Sequence, residues 1–263
     1  MKCEIYYAVA CNKGKIRSIN QDNFWYAGKY LEMANDGLET IESGKIDAED
    51  CPAFAVFDGM GGEQYGEAAA YVAAKTFDSL NKNMKTADAK QFLVDSCRQM
   101  NDNITAYAKQ KLADCVGTTA AIIMFGEKGV CACNMGDSKI YRYDNKNLTQ
   151  ISKDHVVDIF KNKKPPLSQF LGINESEFVI EPYIAQEKYI KDGRWLICSD
   201  GLTDMVSEDE IKDILAKNED AKACVEILLE SALANGGRDN VTIILCKANR
   251  LKRSIFDVFF KKN

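Results

Sequence analysis

Apolar residues fall into short runs separated by polar turns, and these runs predict strands. The predicted strands cover residues 3–11, 22–27, 53–57, 118–125, 129–135, 139–144, 177–184, 194–198 and 241–247. The run at 53–57 is apolar at every position, which indicates a buried strand. Residues 126–129 begin and end with glycine, which indicates a hairpin turn between two of the strands.

Two longer segments place apolar residues three or four positions apart, as the buried face of a helix requires. The first face comprises Tyr71, Ala74, Phe77 and Leu80. The second recurs from Leu93 to Tyr107, and two shorter helices are expected near residues 208–216 and 220–234. Strands joined by short turns pair antiparallel, so the pattern predicts an α+β fold with helices packed on the outer faces of antiparallel sheets.

The composition favours a single globular domain and excludes several classes of protein. The chain has 263 residues, of which 46% are hydrophobic, and a net charge of -5, which argues against a nucleic-acid-binding surface. No apolar run is long enough to span a bilayer, and the first residues lack the apolar region of a signal peptide. Residues 31–50 are rich in acids, which fits either a solvated hairpin or loop or an acidic docking surface.

The ten cysteines are many for this length, but none of them forms a C-x-x-C pair. Most lie inside apolar runs, which is typical of free thiols that pack as small hydrophobic residues. We therefore expect a reducing, cytoplasmic location, with disulfides or a zinc site as the alternative.

Four aspartates each lie where a strand-like run meets a turn, and glycine lies beside or near every one of them. They are Asp58, Asp137, Asp200 and Asp239. Carboxylates held together at the edge of a core repel one another and need compensating positive charge. A hard divalent cation supplies that charge, so the pattern predicts a metal site. Each aspartate alone also fits an ordinary turn or an Asx-turn.

Eight short motifs stand in a fixed order along the chain. They are RSINQD at 17–22, FDGMGG at 57–62, VGTT at 116–119, NMGDS at 134–138, KDH at 153–155, LSQFLG at 167–172, CSDGL at 198–202 and GRDNVT at 237–242. This ordered set resembles the PP2C-type (PPM) metal-dependent serine/threonine protein phosphatases, and the DGMGG form resembles their bacterial branch. The resemblance implies a central antiparallel β-sandwich flanked by pairs of helices on both outer faces, with a dinuclear metal centre at one end.

The resemblance also implies the ligands of that centre. Asp58 bridges two metal ions, the carbonyl of Gly59 ligates one of them, and Asp200 and Asp239 complete the shell of the other. Asp137 helps to hold a weaker third ion. Carboxylate and carbonyl oxygens suit Mn²⁺ or Mg²⁺, whereas zinc prefers histidine or cysteine, and this chain has a single histidine.

Three further residues receive expected roles from the same resemblance. Arg17 matches the arginine that grips the substrate phosphate, a role suited to its permanently charged planar fork. Asp22 supports the site from behind the ligands. The histidine of the Asp154-His155 pair is generally structural in this family, and Asp154 is a candidate to fix its tautomer.

The function that the resemblance implies is hydrolysis of phosphoserine and phosphothreonine in proteins by a water activated between two divalent ions. The expected partners are phosphorylated proteins, with a serine/threonine kinase or its targets counteracted, and the expected state is a monomer. Two alternatives remain: a catalytically silent relative that binds a phosphopeptide or metabolite, and a cation-binding regulatory protein.

The chain departs from the family pattern in several places. Met60 stands where members outside the bacterial branch often carry a histidine, and Lys139 stands where an arginine is usual. Only eleven residues separate His155 from Leu167, where relatives usually carry a longer flap, so a more open groove is expected. We expect a phosphatase domain at 1–249 and a basic amphipathic tail at 250–263, either packed on the domain, frayed, or binding a partner or membrane.

Overall fold

The structure is a computed structural model. It describes residues 3–47, 53–60, 65–82, 88–113, 116–126, 129–157, 165–174, 178–190 and 192–250. The tail after Arg250, most of the shortened flap and Glu63 lie outside the described residues, so the expectations for the flap and the tail concern residues that are not described.

Two antiparallel sheets of the described residues form the centre of the molecule. The first sheet has the order β3-β1-β12-β11-β8-β9, and the second has the order β10-β7-β6-β4-β2, with the short strand β5 paired to β4. The strands are β1 (Cys3–Asn12), β2 (Asp22–Tyr26), β3 (Glu42–Asp47), β4 (Ala53–Met60), β5 (Gly117–Thr118), β6 (Ala120–Gly126), β7 (Gly129–Met135), β8 (Lys139–Asp144), β9 (Asn147–Gln150), β10 (Tyr183–Glu187), β11 (Arg194–Cys198) and β12 (Val241–Arg250).

Helices cover both outer faces of this sandwich. They are α1 (Gly66–Lys82), α2 (Ala89–Lys111), α3 (Asp200–Thr203), α4 (Glu208–Lys217) and α5 (Ala221–Ala234). Residues of α1 and α2 share a buried cluster with the outer face of the second sheet, and residues of α4 and α5 share one with the outer face of the first sheet. The predicted α+β class and its paired outer helices are therefore confirmed.

The third cluster of apolar residues lies between the sheets and explains why so many strands are apolar throughout. Phe54 and Val56 of β4 point into this interior, whereas Ala55 and Phe57 belong to the layer under α1 and α2. Because β4 is buried on both faces, the alternation of polar and apolar residues that marks a half-exposed strand is absent there.

Three predictions of elements differ from the structure. The strand expected at 177–184 lies at 183–187 instead, because Pro182 has no N–H for a ladder and pairing with β7 begins at Tyr183. The short strand β9 was missed, since four residues carry too little pattern. Residues 42–47 of the acidic stretch, which was expected to be a hairpin or loop or a docking surface, form the edge strand β3 and pair with β1.

The described cysteines and helices agree with what the sequence predicts for them. Seven cysteines in the described part are buried and free: Cys11, Cys97, Cys131, Cys133, Cys198, Cys224 and Cys246. None of the described helices combines the length and the apolar character that crossing a bilayer demands.

Candidate metal-dependent active site

The motif aspartates lie at one end of the sandwich because the strands that carry them meet there. Asp58 near the end of β4 pairs across the second sheet with Asp22, the first residue of β2. Asp200 follows β11, and Asp239 precedes β12, which runs antiparallel beside β11 in the first sheet. Asp137 follows β7, whose last residue, Met135, pairs with Ala120 at the start of β6. Strand order and register therefore bring five acids from both sheets to a single end.

Asp22 ties the two sheets together at this end. Its Oδ2 accepts hydrogen bonds from Ser199 Oγ at 2.8 Å and Thr242 Oγ1 at 2.7 Å, both in the first sheet's half of the site. The Asp22 side chain is 2% exposed, and this burial raises its pKa to about 6, while the two hydroxyl donors and a hydrogen bond with Asp58 act in the opposite direction. Negative charge at this position is therefore costly unless it is shared or compensated.

Two threonines fix the backbone of Asp58. Its N–H donates to Thr119 Oγ1 at 3.0 Å, and its carbonyl accepts from the Thr119 N–H and the Thr118 hydroxyl, each at 2.9 Å. Thr119 Oγ1 also lies 2.7 Å from the hydroxyl of Ser138, the residue after Asp137. One hydroxyl chain thus links the turns that carry Asp58 and Asp137.

Close backbone approach explains two of the neighbouring glycines. A methyl group on Gly59 would lie 2.2 Å from the carbonyl oxygen of Gly66 and 2.5 Å from that of Gln21. A methyl group on Gly201 would lie 1.9 Å from the carbonyl oxygen of Asn240. The turns after Asp58 and Asp200 can therefore pack only with glycine at these positions.

Arg17 lies over the acids from the loop between β1 and β2. Its Nη2 donates to Asp239 Oδ2 at 2.7 Å, and this hydrogen bond is the main cause of a raised pKa of the guanidinium, with Asp58 and Asp22 adding to it. The Arg17 side chain is 47% exposed. Its fork therefore faces solvent at the mouth of the site while one nitrogen contacts an acid.

His155 holds the turn before Asp137 through the backbone. The Gly136 N–H donates to His155 Nδ1 at 3.2 Å, and the His155 N–H donates to the Gly136 carbonyl at 3.0 Å. Burial, aided by Lys153, lowers the pKa of His155, which suits a neutral ring that accepts at Nδ1. The idea that Asp154 fixes the tautomer is wrong, because Asp154 instead pairs with Lys139.

Several residues of the site had no role assigned from the sequence. Six hydroxyl or amide side chains hold the motif aspartates or the loops around them: Ser199, Thr242, Thr118, Thr119, Ser138 and Asn240. Each lies within a motif and next to or near an acid, which was the available signal. The Asn240 side chain accepts from the Gln21 N–H at 2.8 Å and donates to the Ile19 carbonyl at 3.0 Å, which fixes the loop of Arg17.

The donor chemistry of this end fits a hard divalent cation. The acids and the Gly59 carbonyl offer oxygen only, and His155 uses Nδ1 on the backbone. Within the described residues, no three of the carboxylate, thiol or imidazole side chains already stand in the arrangement of a metal-binding cluster. The described Asp239 carboxylate accepts from Arg17 through Oδ2 and from the Asn240 N–H through Oδ1.

Comparisons with known proteins agree with this architecture. The family model described as Protein phosphatase 2C matches residues 42–234. The serine/threonine phosphatase stp of Listeria welshimeri is 26% identical over 261 residues, which cover 92% of this chain and 95% of that protein.

Solved structures show the same fold. The crystal structure of the Mycobacterium tuberculosis serine/threonine phosphatase PstP/Ppp is 25% identical, with a TM-score of 0.74 over 93% of this chain and 98% of that one. A structure of the PstP catalytic domain in complex with two manganese ions has the same identity and TM-score, over 94% of this chain and 100% of that one.

Proposed function

Because this chain belongs to the protein phosphatase 2C family, we propose that it hydrolyses phosphoserine and phosphothreonine in proteins with the help of two divalent cations, Mn²⁺ or Mg²⁺. The observation that carries the proposal is the meeting of the four motif aspartates at one end of the sandwich, where Asp22 links both sheets. The similarity to named serine/threonine phosphatases over most of the chain supports the catalytic alternative over the silent one.

The ligands that we propose are those of the strand ends. Asp58 and the Gly59 carbonyl lie on the side of the second sheet, and Asp200 and Asp239 on the side of the first, so a pair of ions between them would be held from both sheets. Asp137, with Asp200, would hold a weaker third ion. Bound divalent ions supply Lewis acidity that lowers the pKa of a water and positive charge that offsets the charge of the phosphoryl group.

Arg17 is proposed to bind the substrate phosphate. Its guanidinium has more N–H donors than Asp239 Oδ2 uses, and the exposed side chain reaches the mouth of the site. The bond to Asp239 holds the fork over the acids, so a phosphate placed there would meet a positive charge already oriented. Asp22 acts from behind, where its hydrogen bonds to Ser199 and Thr242 fix the distance between the two sheets.

We infer that the protein counteracts a serine/threonine kinase as a monomer in the cytoplasm. The buried free cysteines of the described residues fit a reducing compartment, since none of them is paired in a disulfide.

The test of the proposed function is hydrolysis of a chromogenic aryl phosphate and of a phosphothreonine peptide. We expect activity in the presence of Mn²⁺ and none after EDTA is added. In Asp200→Asn the activity should fall by roughly 10³-fold, equivalent to about 4 kcal/mol of lost transition-state stabilisation. Asp209→Asn, at an exposed position in the first turn of α4, is the matched control and should keep full activity. Hydrolysis that survives chelation or the Asp200 substitution would reject the mechanism.

A further inference from the structure

The first turn of α1 packs directly against the turn that carries Gly59. A methyl group on Gly66 would lie 2.9 Å from the Gly59 carbonyl oxygen and 2.7 Å from Gln21 Nε2. The backbone also joins these segments, since the Gly59 N–H donates to the Gln21 carbonyl at 3.1 Å. The Gln21 amide, the start of α1 and the Gly59 carbonyl therefore form one packed layer beside the proposed metal site.

Half-buried Glu67, the second residue of α1, contacts that amide. Gln21 Nε2 donates to Glu67 Oε2 at 3.3 Å. A carboxylate only accepts hydrogen bonds, so the amide must present its nitrogen to Glu67 and its oxygen in the opposite direction. Glu67 thereby removes the ambiguity of an amide, which otherwise can rotate by half a turn and exchange donor and acceptor.

We infer that Glu67 is a positioning residue that acts through Gln21. This inference rests on the proposed phosphatase function. Glu67 keeps Gln21 Oε1 as the acceptor end of the amide, directed away from Glu67, and in this inference that oxygen accepts from a water of the proposed metal site. Magnesium and manganese sites retain several waters, and those waters present hydrogens outward to acceptors. A reversed amide would present N–H groups to the same waters and oppose their orientation.

A second explanation of Glu67 is structural. An acid in the first turn of a helix interacts favourably with the partial positive charge of the helix N-terminus. That role predicts an effect on stability that does not depend on the residue at position 21. The positioning role predicts instead that the effects of changing Gln21 and Glu67 depend strongly on each other.

An exchange of the two side chains separates these explanations. Glu67→Gln lets the amide at position 21 turn, and Gln21→Glu places two carboxylates together, so each single variant should lose about tenfold in kcat, the scale of a lost partner behind a metal site. The double variant Gln21→Glu/Glu67→Gln restores an amide–carboxylate pair and again leaves an acceptor oxygen toward the site. It should recover most of the activity.

Binding of Mn²⁺ gives a readout that is independent of turnover. Free Mn²⁺ counted by electron paramagnetic resonance gives the affinity, and water proton relaxation reports the waters of the bound ion. Both should change in each single variant and recover in the double variant, while KM for the aryl phosphate should change less than kcat. Asp209→Asn serves as the control for loss of an acid in the first turn of a helix.

The possible outcomes are distinct. Single-variant losses that simply add in the double variant, or that appear only in the unfolding midpoint, overturn the positioning role and leave the phosphatase function intact. A wild-type protein that neither binds Mn²⁺ nor hydrolyses the aryl phosphate overturns the proposed function and this inference together. Recovery in the double variant for both kcat and Mn²⁺ affinity supports the inference.

Discussion

The two ends of strand β11 bury charge in different ways. At its start, Arg194 is 7% exposed, and its Nη1 and Nη2 donate to the carbonyls of Asn218 at 2.6 Å and Leu215 at 2.5 Å. Its guanidinium also lies 4.5 Å from the centre of the Tyr143 ring. At the other end, Asp200 joins the acids of the proposed metal site.

The two ends differ in how far the fold itself compensates the buried charge. Arg194 is compensated by fixed carbonyls at the end of α4, where the helix dipole is negative, and by an aromatic face. At the site end, burial raises the pKa of Asp22, which accepts from the Ser199 hydroxyl and shares a hydrogen bond with Asp58. Asp239 accepts from Arg17. At the first end, Nη1 and Nη2 of Arg194 have carbonyl partners within the fold and only the buried Nε has none, whereas the second end gains from added positive charge.

The largest expected effect is on catalysis at the site end. Asp58→Asn should lower kcat by roughly 10³-fold or more, because it removes the ligand proposed to bridge both ions. In EDTA its free energy of unfolding should equal or exceed that of the wild type, since one repelling acid is gone. Kinetics with Mn²⁺ and urea unfolding in EDTA check both statements; a variant unstable in EDTA would contradict the contrast.

At the structural end the expected effect is on stability alone. Arg194→Met should lower the free energy of unfolding by about 3 kcal/mol, because two buried carbonyls lose their donors. The value of kcat per folded molecule should stay unchanged. Urea unfolding measures the stability, and steady-state hydrolysis of the aryl phosphate at a known concentration of folded protein measures kcat; Arg194→Lys is the matched control that keeps the charge. Lost activity with unchanged stability would show that the two ends are coupled.

Metal addition should stabilise through the site end only. Mn²⁺ at 100 times its dissociation constant should raise the free energy of unfolding by about 2.7 kcal/mol in the wild type and in Arg194→Met. The same concentration should have little effect on Asp200→Asn. Calorimetry with and without EDTA measures these differences, and equal stabilisation of all three proteins would place the ion elsewhere.

The smallest effect concerns His155, which supports the site end through a backbone bond. His155→Gln should cost about 1 kcal/mol at neutral pH, the value of one hydrogen bond. Burial lowers the pKa of His155 in the folded state, so the unfolded state binds more protons below about pH 6.5. The free energy of unfolding of the wild type should therefore fall as pH falls through that range. The variant should lack this component. Unfolding curves from pH 7.5 to 5 test it, and parallel curves would contradict the neutral-acceptor role.

Much of the fold could be predicted because burial leaves a local pattern. The apolar run at 53–57 identified a strand buried on both faces, the run at 194–198 identified β11, and the face from Leu93 to Ile104 identified α2. The strand at 183–187 was misplaced because the apolar residues before Pro182 satisfy a strand pattern, although Phe178 and Val179 are exposed in the structure.

The acids of the site could be predicted from the sequence, but their supporting contacts could not. Each of the four aspartates lies beside or near glycine where a strand-like run meets a turn, which is local information. The bonds from Ser199 and Thr242 to Asp22 join residues 177 and 220 positions apart, so they depend on how the sheets pack. The contact of Gln21 with Glu67 likewise depends on where α1 begins in space.

Strand β12 is the last of the described strands, yet it lies in the middle of the first sheet, between β1 and β11. During synthesis, every strand of the second sheet has been made by residue 187, while the first sheet still lacks its centre and Asp22 lacks Thr242. The nascent chain therefore carries an unfinished pocket until the ribosome has released residues near 250. A chain that stops before Asp239 would lack both this acid and Thr242 and would leave β1 and β11 without the strand that joins them.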